Sequence, residues 1–169
     1  MELRGRARKL PDNVYTDHII SSWRKRDAAT VKDAVPYIFE DLAPPLSAPV
    51  SSGDILVAGA NFGCGSAMEI AVEVLLTAGV RAIVARSFAR TYYRNAVNAG
   101  LPALEADTSL IGEGDELVIR IGDCLQLLDV TRGIDLGQSP AVPFAVQLIE
   151  ARGLLEYFRA HGALPRGII

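Results

Sequence analysis

The stretch GDILVAGANFGCGSAMEIA, residues 53–71, holds the pattern that decides the fold of this chain. It opens with a short apolar run at residues 55–58, which predicts a buried β-strand. A bend containing three glycines follows, and then Ser66 and Glu69 stand at the spacing of a capping box before an apolar helical pattern. A strand, a glycine turn and a helix start in this order bring several N–H donors and the positive end of a helix dipole to one place. Such a place stabilises developing negative charge, and Ser66 puts a hydroxyl group in it.

The composition is that of an ordinary globular domain. The chain has 169 residues, of which 50% are hydrophobic and 22% charged, and this predicts one domain spanning residues 1–169. The net charge of −3 gives no reason to expect a nucleic-acid partner. No apolar run approaches the roughly 18 residues of a membrane span, and residues 1–6 lack the apolar core of a signal peptide. These features predict a cytoplasmic protein that has no membrane partner.

The chain has two cysteines, Cys64 and Cys124. A four-iron cluster needs about three or four thiolates, so iron–sulfur chemistry is expected on another chain, and no metal site is predicted in this one. A disulfide between the two cysteines is disfavoured in the cytoplasm. Cys64 lies near a predicted helix start, which favours a reactive thiolate, but the sequence shows no Cys–His arrangement. We expect Cys64 to pack within the glycine bend.

The first third of the chain carries little periodicity. Residues 4–20 predict short extended segments around a turn at residues 11–13. Residues 21–53 contain four prolines and predict a long, mobile connection with one short helix near residues 31–39. Long connections of this kind are often functional or cover a partner.

Two consecutive strand–helix units form the middle of the chain and imply a parallel pair of strands. After residue 100 the apolar period changes to that of β-strands, with a hairpin pattern at Gly122 and Asp123. The fold class expected is α/β, a small domain with a mixed sheet, central strand–helix units and flanking β elements. The predicted elements are strands at 55–58, 80–85, 116–121 and 125–130 and helices at 67–78, from Ser87 to Gly100, and at 148–160 with an interruption at Gly153.

Four short motifs resemble the small subunit of 3-isopropylmalate dehydratase, which is the swivelling domain of the aconitase superfamily. They are TDHII at residues 16–20, NFGCGS at 61–66, SFAR at 87–90 and YRNA at 93–96. They occur in the order of the family, and the likeness extends over roughly residues 4–160. The resemblance implies a β/β/α swivelling domain, in agreement with the pattern of elements.

The resemblance also implies an activity. It predicts one subunit of a heteromeric hydro-lyase that interconverts 2-isopropylmalate and 3-isopropylmalate by dehydration and rehydration, a step of leucine biosynthesis. The partner implied is a large subunit whose [4Fe-4S] cluster acts as Lewis acid on the leaving hydroxyl of a small hydroxy-diacid. No cofactor is expected in this chain.

Ser66 matches the serine that acts as general base in the aconitase superfamily, so the resemblance makes it the predicted catalytic residue. The alternative is a plain helix cap, worth about 1 kcal/mol of stability. Gly65 and Ala67 flank it and are predicted to contact substrate. The family continues Ser-Ser-Arg-Glu-His where this chain has Ser-Ala-Met-Glu-Ile, so Met68 stands in place of an arginine that contacts a substrate carboxylate. A thioether cannot replace the bidentate guanidinium fork.

Three other arginines are candidates for binding substrate carboxylates. Arg26 matches the arginine of the family's mobile specificity loop, although the alternative is a solvated run of charges at residues 24–27. Arg90 and Arg94 lie four residues apart on one face of the second predicted helix. Their alternative role is structural, as ion-pair partners of acidic residues at positions 69, 73 and 105.

Two other functions remain open at this point. The same architecture could act on a different hydroxy-diacid, such as homoaconitate or dimethylmalate, and Ala67, Met68 and Arg26 favour this hypothesis. The chain could also be a catalytically silent binding or regulatory subunit that kept the fold and lost the arginine.

Overall fold

One mixed β-sheet of seven strands organises the part of the chain that the computed structural model describes, residues 1–46 and 48–164. The strands are β1 (Glu2–Lys9), β2 (Ile55–Ala58), β3 (Ala82–Ala85), β4 (Ala103–Glu105), β5 (Glu116–Ile121), β6 (Cys124–Asp129) and β7 (Ile134–Pro140). Their order across the sheet is β4-β3-β2-β1-β5-β6-β7. The predicted α/β class and mixed sheet are confirmed.

β1 joins the two halves of the sheet. Its residues 7–9 pair in parallel with β2, and its residues 2–6 pair antiparallel with β5. β2, β3 and β4 are parallel to one another, whereas β5, β6 and β7 form an antiparallel meander. The parallel pair β2–β3 and the hairpin β5–β6 are both as predicted.

The helices cover the sheet and create two apolar layers. They are α1 (Thr16–Ile19), α2 (Ser22–Asp27), α3 (Val31–Ala34), a 3₁₀ turn (Val35–Tyr37), α4 (Ile70–Thr77), α5 (Arg90–Ala99), α6 (Pro143–Ala151) and α7 (Leu154–His161). Successive residues of β2 point into opposite layers, with Leu56 among the residues that α4 and α5 cover and Ile55 and Val57 among the apolar side chains of β5 and β6. Burial on both faces explains why β2 is apolar throughout.

The structure departs from the predicted elements mainly in residues 16–27 and after residue 130. Residues 16–19 form a helix rather than an extended segment, and residues 22–27 form a helix that the sequence did not reveal because none of its residues is buried. The short helix expected near residues 31–39 is confirmed. β7 was missed for the same reason as α2, since none of its residues is buried. The interruption expected at Gly153 in the last helix is confirmed, since α6 ends and α7 begins around Arg152 and Gly153, where φ is positive. The first of these two helices begins at Pro143, five residues earlier than expected.

Candidate active site

The carboxyl ends of β1 to β4 meet at one edge of the sheet because these four strands are parallel. The segments that follow them are residues 10–15, 59–69, 86–89 and 106–109. Ligands of open α/β sheets bind outside this edge. We call the first three of these segments, which hydrogen bonds connect to one another, the catalytic edge.

The glycine bend after β2 is tied to the segment after β3 by three hydrogen bonds. The N–H of Asn61 donates to the hydroxyl of Ser87 at 2.8 Å, the N–H of Phe62 to the carbonyl of Ser87 at 3.0 Å, and the N–H of Ala89 to the carbonyl of Phe62 at 2.9 Å. Ser87 therefore serves the bend and does not cap a helix as predicted. α5 begins three residues later, at Arg90, and ends at Gly100 as expected.

The bend is also tied to the segment after β1. The N–H of Gly63 donates to the carbonyl of Val14 at 2.8 Å, and the N–H of Thr16 donates to the carbonyl of Cys64 at 2.8 Å. Gly63 has φ +76°, and a Cβ on it would lie 2.1 Å from Cγ of Tyr92. Tyr92 is fully buried, and its hydroxyl donates to the carbonyl of Ala71 at 3.2 Å, so the ring cannot retreat. Only glycine fits at position 63.

Ser66 is exposed at the tip of the bend. Its carbonyl is held by the hydroxyl of Thr16 at 3.1 Å and by the N–H of Met68 at 2.8 Å. Among the described residues nothing hydrogen-bonds to the Ser66 hydroxyl, nor to the N–H groups of Gly65, Ser66 and Ala67. A fixed backbone thus presents one hydroxyl and three adjacent N–H groups to solvent.

The predicted capping box at Ser66 and Glu69 is wrong. α4 begins at Ile70, four residues after Ser66, and its capping position, Glu69, has helical backbone angles and no side-chain cap. Ser66 therefore has no capping role, which removes the structural alternative given for it above. The N–H donors near the hydroxyl come from the bend itself rather than from the first turn of a helix.

Sequence reasoning missed a polar group at the same edge. A carboxylate oxygen of Asp12 accepts the N–H of Ala60 at 2.7 Å and a guanidinium hydrogen bond from Arg86. The Arg86 hydrogen bond, with the one from Ala60, holds the pKa of Asp12 below its ordinary value. Beside this pair, Nδ2 of Asn61 donates to Oδ1 of Asn13 at 3.0 Å. Polar residues directly after parallel strands are the pattern by which these could have been found.

Comparison with known proteins identifies the family. The family model named Aconitase C-terminal domain matches residues 8–109. The chain is 39% identical over 162 residues to 3-isopropylmalate dehydratase small subunit 2 of Archaeoglobus fulgidus, covering 96% of this chain and 98% of that protein. It is 37% identical over 165 residues to small subunit 1 of Thermotoga maritima, covering 97% and 99%. The crystal structure of 3-isopropylmalate dehydratase from Methanocaldococcus jannaschii matches with a TM-score of 0.86 at 32% identity, over 96% of each chain.

The chain belongs to the family of 3-isopropylmalate dehydratase small subunits. The resemblance noted in the sequence implies an arginine at position 68, where this chain has Met68. Met68 is 7% exposed and lies in the core, with its sulfur 3.7 Å from the hydroxyl of Ser22. The backbone and hydroxyl of Ser22 in turn donate to Asp17. Position 68 therefore anchors the bend to α2 and offers no cation to a ligand.

The charge run at residues 24–27 divides into one engaged and one accessible arginine. Arg24 donates twice to the carboxylate of Glu40, at 2.7 and 2.9 Å, and its guanidinium lies 3.5 Å from the ring centre of Tyr37. Arg26 is 77% exposed, and its contact is a 3.3 Å ion pair with its neighbour Asp27. Since such an exposed pair is worth little, Arg26 remains accessible to a ligand.

Arg90 and Arg94 differ in their surroundings although both are exposed. Among the described residues neither arginine forms an ion pair. The alternative given above, in which they pair with the acidic residues at positions 69, 73 and 105, is therefore wrong. Arg90 opens α5 and directly follows Ala89, whose N–H is bound to the glycine bend. Arg94 lies one turn further along, beside Val142, which caps α6, and Phe144 in the first turn of α6. Arg90 is thus the one adjacent to the bend.

The cysteines do not fit an iron–sulfur cluster. Cys64 follows β2, whereas Cys124 begins β6, and β1 and β5 lie between those strands. Burial raises the pKa of the Cys64 thiol, which disfavours a nucleophilic thiolate. Within residues 1–46 and 48–164 no group of three or more His, Cys, Asp or Glu side chains could hold a metal ion. Over the same ranges no helix is long and apolar enough to cross a bilayer.

Proposed function

We propose that this chain is the small subunit of a two-chain 3-isopropylmalate dehydratase and that Ser66 is its catalytic base. The observation that carries the proposal is the exposed Ser66 hydroxyl, without a partner among the described residues, on a backbone that Thr16 and Met68 hold in place. Family membership supports the reaction class, since the relatives at 37–39% identity over nearly the whole chain carry that activity in their names.

The role of the bend follows from the chemistry of a serine base. A serine hydroxyl is a weak base, and it can accept a proton from carbon only where preorganised donors stabilise the alkoxide. The N–H groups of Gly65, Ser66 and Ala67 are such donors, because they are exposed and unpaired among the described residues. Ser66 Oγ would take the proton from one carbon as water leaves and return it to the neighbouring carbon as water re-adds, which exchanges the positions of hydrogen and hydroxyl.

The substrate carboxylates need cations at the same edge. Arg90 is the best placed, because it directly follows Ala89, whose N–H is bonded to the bend, and it has no carboxylate partner among the described residues. Arg26 lies on α2, whose first residue, Ser22, contacts the sulfur of Met68 beside the bend. Arg94 lies a turn away along α5, and we assign it to the rim of the site.

The partner subunit supplies what this chain lacks. A large subunit carrying a [4Fe-4S] cluster would provide the Lewis acid for the leaving hydroxyl, since the cysteines of this chain do not fit such a cluster. Both cysteines are free thiols, which agrees with a reducing compartment, and we place the complex in the cytoplasm as part of leucine biosynthesis.

The Ser66→Ala variant tests the proposal in the complex reconstituted with the large subunit. We expect kcat for 3-isopropylmalate to fall by about 10²–10⁴, the usual contribution of a positioned acid–base group. Ser52→Ala is the matched control, an exposed serine before β2, at the opposite edge of the sheet, that should leave kcat unchanged. Circular dichroism and binding to the large subunit should be unaffected in both variants. Wild-type turnover by Ser66→Ala would overturn the assignment, and a wild-type complex that neither dehydrates a tested hydroxy acid nor hydrates its alkene would indicate a silent subunit.

A related substrate is the second candidate, and the accessible Arg26 favours it. An exposed guanidinium, paired only weakly with Asp27, suits an additional carboxylate, as in homoaconitate, better than the isopropyl group of isopropylmalate. In Arg26→Gln, KM for homoaconitate should rise about tenfold if that acid is the substrate, because a charge-assisted hydrogen bond is lost. The three acids 3-isopropylmalate, homoaconitate and dimethylmalate should be compared with wild-type complex. Turnover of 3-isopropylmalate alone would exclude this candidate.

A further inference from the structure

A polar cleft lies at the amino ends of the parallel strands, at the edge opposite Ser66. It encloses about 680 Å³, within the range of small-ligand sites. Its walls come from the first half of β1, from residues 51–54 before β2, and from Arg81 before β3. Neither its residues nor its position contribute to the catalytic edge, and we call it the arginine cleft.

The register of β1 creates the cleft. β1 pairs with β2 only from Ala7 onward, so its earlier residues extend past the start of β2 and leave one side of the strand without a partner strand. Gly5 there packs so closely on Gly53 and Ile55 that a Cβ would lie 2.1 Å from the carbonyl oxygen of Gly53. Across the opening, Nη1 of Arg81 donates to the carbonyl of Arg4 at 2.7 Å. This bond fixes the Arg81 guanidinium in the cleft.

The cleft concentrates positive charge in a chain whose net charge is −3. Arg4, Arg6 and Arg8 share one face of β1 because alternate residues of a strand point the same way. Arg8 is engaged by Asp54 at 2.8 Å, and Arg4 meets Glu116 at 3.4 Å in a pair that is about half exposed. Among the described residues Arg6 and Arg81 have no carboxylate within 4.0 Å. Two guanidinium groups therefore remain available to an anion.

We propose that the arginine cleft binds the phosphate groups of a small phosphorylated metabolite. Guanidinium groups match phosphate oxygens bidentately, and the hydroxyls of Ser51, Ser52 and Thr131 line the same cleft. A phosphate carries about −1.5 to −2 charges and three strong acceptor oxygens, which suits two free arginines with adjacent hydroxyls better than a single carboxylate does. The site lies at the far end of β2 from the glycine bend, so the ligand would not compete with a substrate at Ser66.

Pyrophosphate is the probe for a binding test on the whole chain. Its binding is measured by titration calorimetry and by changes in amide chemical shifts. We expect saturable binding that weakens as salt is added, with the largest shifts at Gly5, Ser52 and Gly53. Arg6→Gln, which removes a side chain that bonds no described residue, should weaken binding by about tenfold. Arg81→Gln should do the same, with circular dichroism checking its fold. Arg159→Gln changes the net charge equally on the exposed face of α7 and should leave the affinity unchanged.

Other outcomes would overturn the proposal. They are no saturation at millimolar pyrophosphate, an equal loss of affinity in Arg159→Gln and Arg6→Gln, and shifts confined to Gly63 and Ser66. Tighter binding of tricarballylate than of pyrophosphate would show that the cleft prefers carboxylates and would equally refute it. None of these results tests the catalytic role of Ser66, because the calorimetry and the amide shifts involve no turnover.

Discussion

The hydrogen bond from Thr16 to the carbonyl of Ser66 offers a direct test of how the catalytic edge is positioned. Thr16 is 1% exposed, and its hydroxyl donates to that carbonyl at 3.1 Å. Thr16→Val keeps the shape of the side chain and removes the donor. The carbonyl retains the N–H of Met68 at 2.8 Å, so it is not left without a partner. The loss in unfolding free energy should then be that of one ordinary hydrogen bond, about 0.5–1.5 kcal/mol.

Thr108→Val is the matched control for stability. Thr108 is 3% exposed, and its hydroxyl donates at 2.9 Å to the carbonyl of Ala58, the last residue of β2. Each variant thus removes one buried hydroxyl that donates to a backbone carbonyl within residues 58–66. Urea denaturation should give similar losses for the two, about 1 kcal/mol each.

Turnover should separate the two variants. Thr16→Val frees the backbone that carries the Ser66 hydroxyl, and because small displacements of a reacting group are costly, kcat of the reconstituted complex should fall by about tenfold with little change in KM. Thr108→Val should leave kcat within about twofold, since its bond ends at β2. Thr16→Ser restores the hydroxyl and should restore kcat. Equal kcat losses in both variants, or none in Thr16→Val, would refute the positioning role.

Two further predictions concern stability. Gly63→Ala should lower the unfolding free energy by about 2–5 kcal/mol, because it adds left-handed backbone strain and displaces the Tyr92 ring. In Gly65→Ala the new Cβ would approach no atom closer than 3.3 Å, so the loss should be that of the backbone strain alone, about 1–2 kcal/mol. Equal losses in urea denaturation would contradict the steric argument. Burial, with the adjacent Asp115, raises the pKa of Asp129, so protonated Asp129 contributes stability at low pH that is lost as pH rises through its folded pKa. Asp129→Asn stays neutral, so its stability relative to wild type should increase as pH rises from the ordinary carboxyl range through the raised pKa of Asp129. A difference in unfolding free energy that does not change with pH would rule this out.

The prediction of secondary structure succeeded where local pattern and tertiary environment agree. The apolar runs at 55–58 and 82–85 are buried on both faces of the sheet and were predicted as strands. The exposed α2 and β7 bury no residue and so leave no apolar period in the sequence. The capping box predicted at Ser66 does not form, because the bend is hydrogen-bonded to Val14 and Thr16, about fifty positions earlier in the chain, and α4 begins only at Ile70.

The candidate site shows the same division. Ser66 and Arg90 were named from motifs, and the structure brings both segments to one edge. Arg86 with Asp12 was missed, because these residues lie 74 positions apart and meet only through the parallel pairing of their strands. From the sequence, Met68 stood only for the absence of a carboxylate-binding arginine. The structure shows in addition that Met68 is buried and contacts Ser22 of α2, a residue 46 positions earlier.

The sequence by itself determined the α/β class, the glycine bend and the family, because these depend on residues that are neighbours along the chain. The tertiary structure decided which hydroxyls and guanidinium groups are free and which are engaged. Arg24 and Arg26 are two positions apart, yet one is locked on Glu40 and Tyr37 and the other is exposed. The physical reason is that hydrogen bonding and desolvation depend on groups that only folding brings within about 3 Å.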